Sequence, residues 1–83
     1  MKVIIDESVF QFLKENRIEL SQQLKKVINH LKVHPKMYEK IIDDDNIRHF
    51  VIKGIDFGYM IDDEIIIISD CRFVKSKTRL KVR

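Results

Sequence analysis

The stretch from Ile47 to Phe73, "IRHFVIKGIDFGYMIDDEIIIISDCRF", constrains this chain more than any other. Three apolar segments with β-type alternation are separated by breaks of only two residues, "KG" and "DD". A two-residue break cannot carry a crossover, so the segments must run antiparallel as a meander. In the middle segment Ile55, Phe57, Tyr59 and Ile61 share one face, and Asp56, Gly58 and Met60 share the other. One face of this sheet therefore needs a cover.

The first half of the chain supplies one. "KVII", Lys2 to Ile5, is a short apolar strand that stops at Asp6, an N-cap residue followed by Glu7 in the first turn of a helix. Val9, Phe12 and Leu13 mark the buried side of that helix, with Phe10 nearby, and Asn16 and Arg17 break its phase. Leu20, Leu24, Val27, Ile28 and Leu31 then recur at helical spacing, until Pro35 ends the second helix by disfavouring helical geometry at His34. The "KMYEK" that follows could hold another helical turn, and "DDD" reads as a solvated loop. The expected fold is α+β in the order β-α-α-β-β-β, a helical hairpin packed on a small, mainly antiparallel sheet. A fifth, C-terminal strand is possible.

Eighty-three residues, 45% of them hydrophobic, make one domain, spanning 1–83. A chain of this size buries a little over roughly 60% of its unfolded surface. The single Cys71 excludes an internal disulfide and fits a reducing cytoplasm. The start turns acidic at Asp6, too early for a signal peptide, and the longest apolar run, Ile65 to Ile68, is too short to cross a bilayer. A cytoplasmic protein is expected. His30 and His34 share a helix face, but no third ligand is in view, so neither metal nor cofactor is expected.

Charge is unevenly placed. Residues 72–83 hold six of the 16 Lys and Arg and none of the 13 Asp and Glu, which leaves the remainder of the chain at net −3. From Lys75 the cations alternate, as Lys75, Lys77, Arg79, Lys81 and Arg83. On an extended chain they would share one face at intervals of about 6.5 Å. Such a row, in the arm 74–83, suits a polyanion such as RNA, with Leu80 and Val82 turned to the protein body. Its structural alternative is a lysine-guarded edge strand.

The order of elements, "HLKVHP" at the end of the second helix, and above all "GYMIDDEIIIISDCRF" resemble the RelE/ParE toxin superfamily of bacterial toxin-antitoxin systems, and the spacing from Tyr59 to "CRF" is similar to its YoeB branch. The resemblance implies a sheet carrying an active surface, neutralised by an acidic antitoxin protein. In the RelE-like and YoeB-like members it implies a ribosome-dependent mRNA endonuclease, and in the ParE-like members an inhibitor of DNA gyrase. RNA cleavage needs a base for the 2′-hydroxyl, cations for the phosphorane and an acid for the leaving oxygen. Arg72 matches the family's last-strand arginine; its alternative is an ion pair with Asp70 or Asp56. His49 is a candidate base and Lys75 a candidate acid or phosphate contact, with Arg48 and Lys53 as further nucleic-acid contacts. The family's middle-strand arginine aligns with Asp56, and its terminal His-Tyr pair with Val74 and Lys75. That pattern leaves two readings open, an mRNA endonuclease and a non-catalytic binding protein of the same fold.

Overall fold

A computed structural model describes residues 1–74. The chain forms β1 (Lys2–Ile5), α1 (Glu7–Glu15), α2 (Ser21–Val33), β2 (Glu39–Lys40), β3 (Ile47–Ile52), β4 (Ile55–Asp62) and β5 (Ile65–Phe73). It is an α+β fold with two helices and a five-stranded mixed sheet in the order β1-β5-β4-β3-β2. β3, β4 and β5 form the expected meander, while β1 lies on the far side of β5 and parallel to it, Val3 opposite Ile66.

Local chemistry sets the ends of these elements. The Asp6 carboxylate accepts from Ser8 N at 3.0 Å, capping α1, and hydrogen bonding to Ser8 holds that carboxyl below its ordinary range. Lys53 and Gly54 both sit at positive φ, 49° and 79°, as a two-residue hairpin of the mirror-image type requires. The second hairpin turns at Asp63 and Glu64, one residue later than "DD" predicts, because Asp62 still pairs with Ile65 and Asp63 takes the left-handed conformation.

The core lies between the helices and one sheet face. Val9, Leu13, Leu20, Leu24 and Leu31 meet Phe50, Ile55, Phe57, Tyr59, Ile66 and Ile68 there. Phe50 and Phe57 stack at 5.1 Å between centroids, and the buried Tyr59 hydroxyl donates to Pro35 O at 2.7 Å. Phe10 lies outside this core, 53% exposed.

The segment after Pro35 differs from expectation. No helical turn forms at "KMYEK"; Glu39 and Lys40 instead pair with His49 and Arg48 as an edge strand. Tertiary contacts decide this. The Tyr38 ring packs 5.4 Å from Phe50, and Arg48 Nη1 donates to the carbonyls of Lys36 and Tyr38, at 3.1 and 2.6 Å, which lays the chain alongside β3. The additional strand of the described residues is thus β2; the C-terminal strand entertained from sequence lies outside them.

One irregularity controls the sheet's second face. Tyr59 pairs with Ile68 but Gly58 with Asp70, so Ser69 is an extra residue on β5. This is a β-bulge. Strict alternation from Ile66 and Ile68 would turn Asp70 and Arg72 toward the helices. The bulge reverses the phase, so that Cys71 and Phe73 face the helices, with Phe73 5.0 Å from Phe12, and Asp70 and Arg72 face outward. The Ser8 hydroxyl donates to Ser69 O at 3.2 Å and helps to fix it.

Candidate functional site

The sheet face turned away from the helices has two parts. A cross-strand apolar row runs Ile4, Ile67, Met60, Ile47, with Ile4 and Met60 exposed. Beside it lie two polar rows, Glu39–His49–Gly58–Asp70 and Val51–Asp56–Arg72. Ile41, His49, Asp56, Gly58, Asp70 and Arg72 line a shallow groove of about 230 Å³ over these rows. A larger hollow along α1 is lined by Glu7, Phe10, Gln11, Lys14 and Glu15 and holds no histidine.

His49 and Asp56 form the centre. They stand on adjacent strands at diagonal positions, near enough for side chains to meet. His49 Nδ1 lies 2.8 Å from Asp56 Oδ1, and both side chains are largely buried, 28% and 19% exposed. With the proton on Nδ1, the carboxylate fixes the tautomer and leaves the Nε2 lone pair as acceptor. Nε2 lies 3.8 Å from Oε1 of the exposed Glu39. An imidazole held by a carboxylate in this way is equipped to take up a proton.

Arg72 supplies a cation next to this pair. Its side chain is 77% exposed, and Nη2 approaches Asp56 Oδ2 only to 4.0 Å. Most of its donors therefore face solvent, ready for an anion. Asp70 projects over Gly58: a Cβ placed on that glycine would fall 2.6 Å from Asp70 Oδ1 and 4.0 Å from Ile41 Cδ1. Gly58 is the floor of the groove, and its want of a side chain makes room for the Asp70 carboxylate.

Of the residues expected from sequence, His49 and Arg72 come together here. Lys53 is exposed in the β3–β4 turn, one pair, Ile52–Ile55, beyond the Asp56–Arg72 row. Arg48 is corrected. It is 8% exposed, and four of its donors are engaged by the chain itself, at Asp45 O, Lys36 O, Tyr38 O and Asp45 Oδ1. It staples β2 and the "DDD" loop to β3 instead of meeting a nucleic acid. Asp45, bonded also to Lys36, has its carboxyl held below the usual range by that hydrogen bond. Lys75, Lys77, Arg79, Lys81 and Arg83 lie outside the described residues. Among the described residues no cluster of three or more His, Cys, Asp and Glu side chains is placed to hold a metal ion, and no helix is long and apolar enough to cross a membrane.

Asp56, Gly58, Ile41 and Asp70 complete the groove; the sequence offered Asp56 and Asp70 only as ion-pair partners of Arg72, and the pair present is the one with Asp56, at 4.0 Å. Asp56 has a signal: counting back from the Lys53–Gly54 turn pairs Ile52 with Ile55 and Val51 with Asp56, which sets Asp56 diagonal to His49. Asp70 has none, because its face depends on the bulge. No protein-family model, no curated protein sequence and no solved structure matches this chain.

Proposed function

We propose that this chain is a toxin of the RelE/ParE kind that cleaves RNA at the His49–Arg72 groove. The observation that supports this best is the 2.8 Å contact between His49 Nδ1 and Asp56 beside an exposed Arg72. The two helices and five-stranded sheet make a small α+β fold whose second sheet face no described residue outside the sheet and the Ile41 loop covers, as such a toxin would need. Asp56, which replaces a cation of the resembling family, gains a role as the group that orients the base.

In this mechanism His49 Nε2 takes the proton of a ribose 2′-hydroxyl. The 2′-oxygen forms a bond to the adjacent phosphorus, the bond from phosphorus to the 5′-oxygen breaks, and a 2′,3′-cyclic phosphate is left. Arg72 offsets the charge that develops on the phosphorane oxygens. The 5′-oxygen leaves with a proton, for which Lys75 is the sequence's candidate donor. Asp56 touches neither the ribose nor the phosphate and acts through His49. The alternating cations that follow Val74 would add affinity for the RNA backbone, and an acidic antitoxin would compete for the same charges.

A second reading is favoured by two observations. Asp56 and Asp70 flank Arg72 and lower the groove's attraction for phosphate, and the neighbouring row of Ile4, Ile67, Met60 and Ile47 offers apolar surface to a protein partner. In that reading the chain binds without cutting, as an inhibitor of DNA gyrase or as a partner-binding member that has lost toxicity. Inducing the protein in a bacterial host separates the two. An RNA-cleaving toxin arrests growth and leaves ribosome-bound mRNA with 2′,3′-cyclic or 3′-phosphate ends, and Arg72→Ala or His49→Ala relieves the arrest. Growth arrest with intact mRNA and inhibited gyrase supports the binding reading, and normal growth on soluble wild-type protein counts against both toxic activities.

A further inference from the structure

The acid–base pair and Arg72 account for the Asp56 side of the groove and leave Asp70 without a role. Its position is unusual for a residue near a phosphate site. Asp70 is exposed, on the same strand and face as Arg72 and two residues before it, about 6.5 Å along β5. Its carboxylate lies over the notch at Gly58, and Ile41 Cδ1 lies 4.0 Å from the point where a Gly58 side chain would start. Among the described residues its hydrogen bond from protein is a long one, 3.4 Å from the Ser69 hydroxyl to Oδ1. Seated on Gly58 beside an apolar side chain, this exposed carboxylate keeps Oδ2 and a second lone pair of Oδ1 for two donors from outside.

We infer that this notch reads a guanine base, with Asp70 as the specificity-determining residue, on the nucleotide whose phosphate meets Arg72. This rests on the reading of the groove as an RNA site and names its substrate class. Single-stranded RNA exposes the Watson–Crick edges of its bases to such side chains. Guanine presents two donors side by side on that edge, N1–H and the N2 amino group, and they match the two oxygens of one carboxylate. Adenine and cytosine present one amino donor beside a ring-nitrogen lone pair, and uracil one N–H between two carbonyls. Each of those edges sets a lone pair against the carboxylate, and guanine alone does not. A charge-assisted, two-point contact is the stronger kind, and Ile41 gives the base an apolar surface to lie against. The negative charge of Asp70, a hindrance to phosphate, is on this account the means of choosing the base.

The test uses isotope-labelled full-length protein and the nucleosides guanosine, adenosine, cytidine and uridine, with the matching 3′-monophosphates run in parallel. Guanosine should shift the amide signals of Gly58 and Asp70 at concentrations about tenfold lower than the other nucleosides, the discrimination typical of a good two-point base contact. Asp70→Asn, which exchanges one acceptor for a donor, should bring guanosine down to the level of adenosine. Asp63→Asn, in the distant β4–β5 turn where asparagine tolerates the left-handed backbone, should preserve the preference. Equal response to all four nucleosides, no response to any, or a guanosine preference that survives Asp70→Asn overturns the inference. The 3′-phosphates judge the underlying reading separately: a phosphate-dependent shift at His49 and Arg72 upholds the RNA site even where base discrimination fails, and its absence rejects that site.

Discussion

Asp70 Oδ1 occupies the space into which a side chain on Gly58 would grow, 2.6 Å from where the Cβ would stand. Only the end of a surface side chain is in the way, so the strand itself can take an alanine. Gly58→Ala should change unfolding free energy by no more than about 1 kcal/mol, since the strand gains from losing a glycine roughly what the displaced carboxylate costs. Guanosine binding, however, should disappear. Urea denaturation and nucleoside titration on the one variant check both parts, and a large loss of stability would mean that Asp70 is held more firmly than its exposure indicates.

The two strand arginines, Arg48 on β3 and Arg72 on β5, should behave in opposite ways. Arg48→Ala removes four hydrogen bonds and leaves the carbonyls of Lys36, Tyr38 and Asp45 without their donor. It should cost about 3 kcal/mol and release β2 from β3. Arg72→Ala, at an exposed strand end, should cost no more than about 1 kcal/mol. Equilibrium unfolding ranks them, and amide exchange at Glu39 and Lys40 reports whether β2 has come away.

Ser69 is the residue of β5 without a partner on β4, so its deletion should be tolerated. Without it Asp70 follows Ile68 directly, still opposite Gly58, and plain alternation keeps Cys71 and Phe73 toward the helices and Asp70 and Arg72 outward. The expected loss is no more than about 1 kcal/mol, from the hydrogen bond that the Ser8 hydroxyl gives to Ser69 O. Chemical denaturation measures it. A loss of several kcal/mol would show that the strand end does not close up into the regular register.

Burial, with a smaller contribution from Asp70, pushes the Cys71 thiol up to about 11, and burial likewise raises the Tyr59 hydroxyl above its ordinary value. Both groups are neutral when protonated and are disfavoured as anions in the fold. Their contribution to stability is therefore complete below the unfolded values, near pH 9 for the thiol, and is lost as pH rises through about 11. At pH 8 the folded protein should carry about a hundredfold less thiolate than the urea-unfolded chain, and react with iodoacetamide more slowly by a similar factor. Equal rates in the two states would place Cys71 outside the core.

The parts of this fold written in short-range pattern were legible from the sequence: the Asp6 cap, the apolar stripe of α2 ending at Pro35, and the alternating Ile55, Phe57 and Tyr59 of β4. The unreadable parts depend on contacts between distant residues. β2 exists because Arg48 and Phe50 hold the chain around Tyr38, although "KMYEK" itself favours a turn as readily. The site divides along the same line. His49 and Arg72 were visible as chemistry, and Asp56 could be reached by counting through a hairpin. Gly58 already stood on the outer face of β4 beside Asp56, and Asp70 came to lie over it only because a single extra serine shifts the phase of β5.

The parallel partnership of β1 with β5 also has a bearing on how the chain reaches its structure. Val3 and Ile66 are opposite one another yet 63 positions apart, whereas the meander joins neighbours across two-residue turns. Closing the long loop is entropically costly and is rewarded only after β5 is in place. The hairpins can form early and by themselves, and β1 then joins last, at the sheet edge. During synthesis β1 is made long before β5 and has to wait, with Val3 and Ile5 uncovered, until the meander is complete. A protein built this way has its slowest step, and its most vulnerable moment, in the docking of β1.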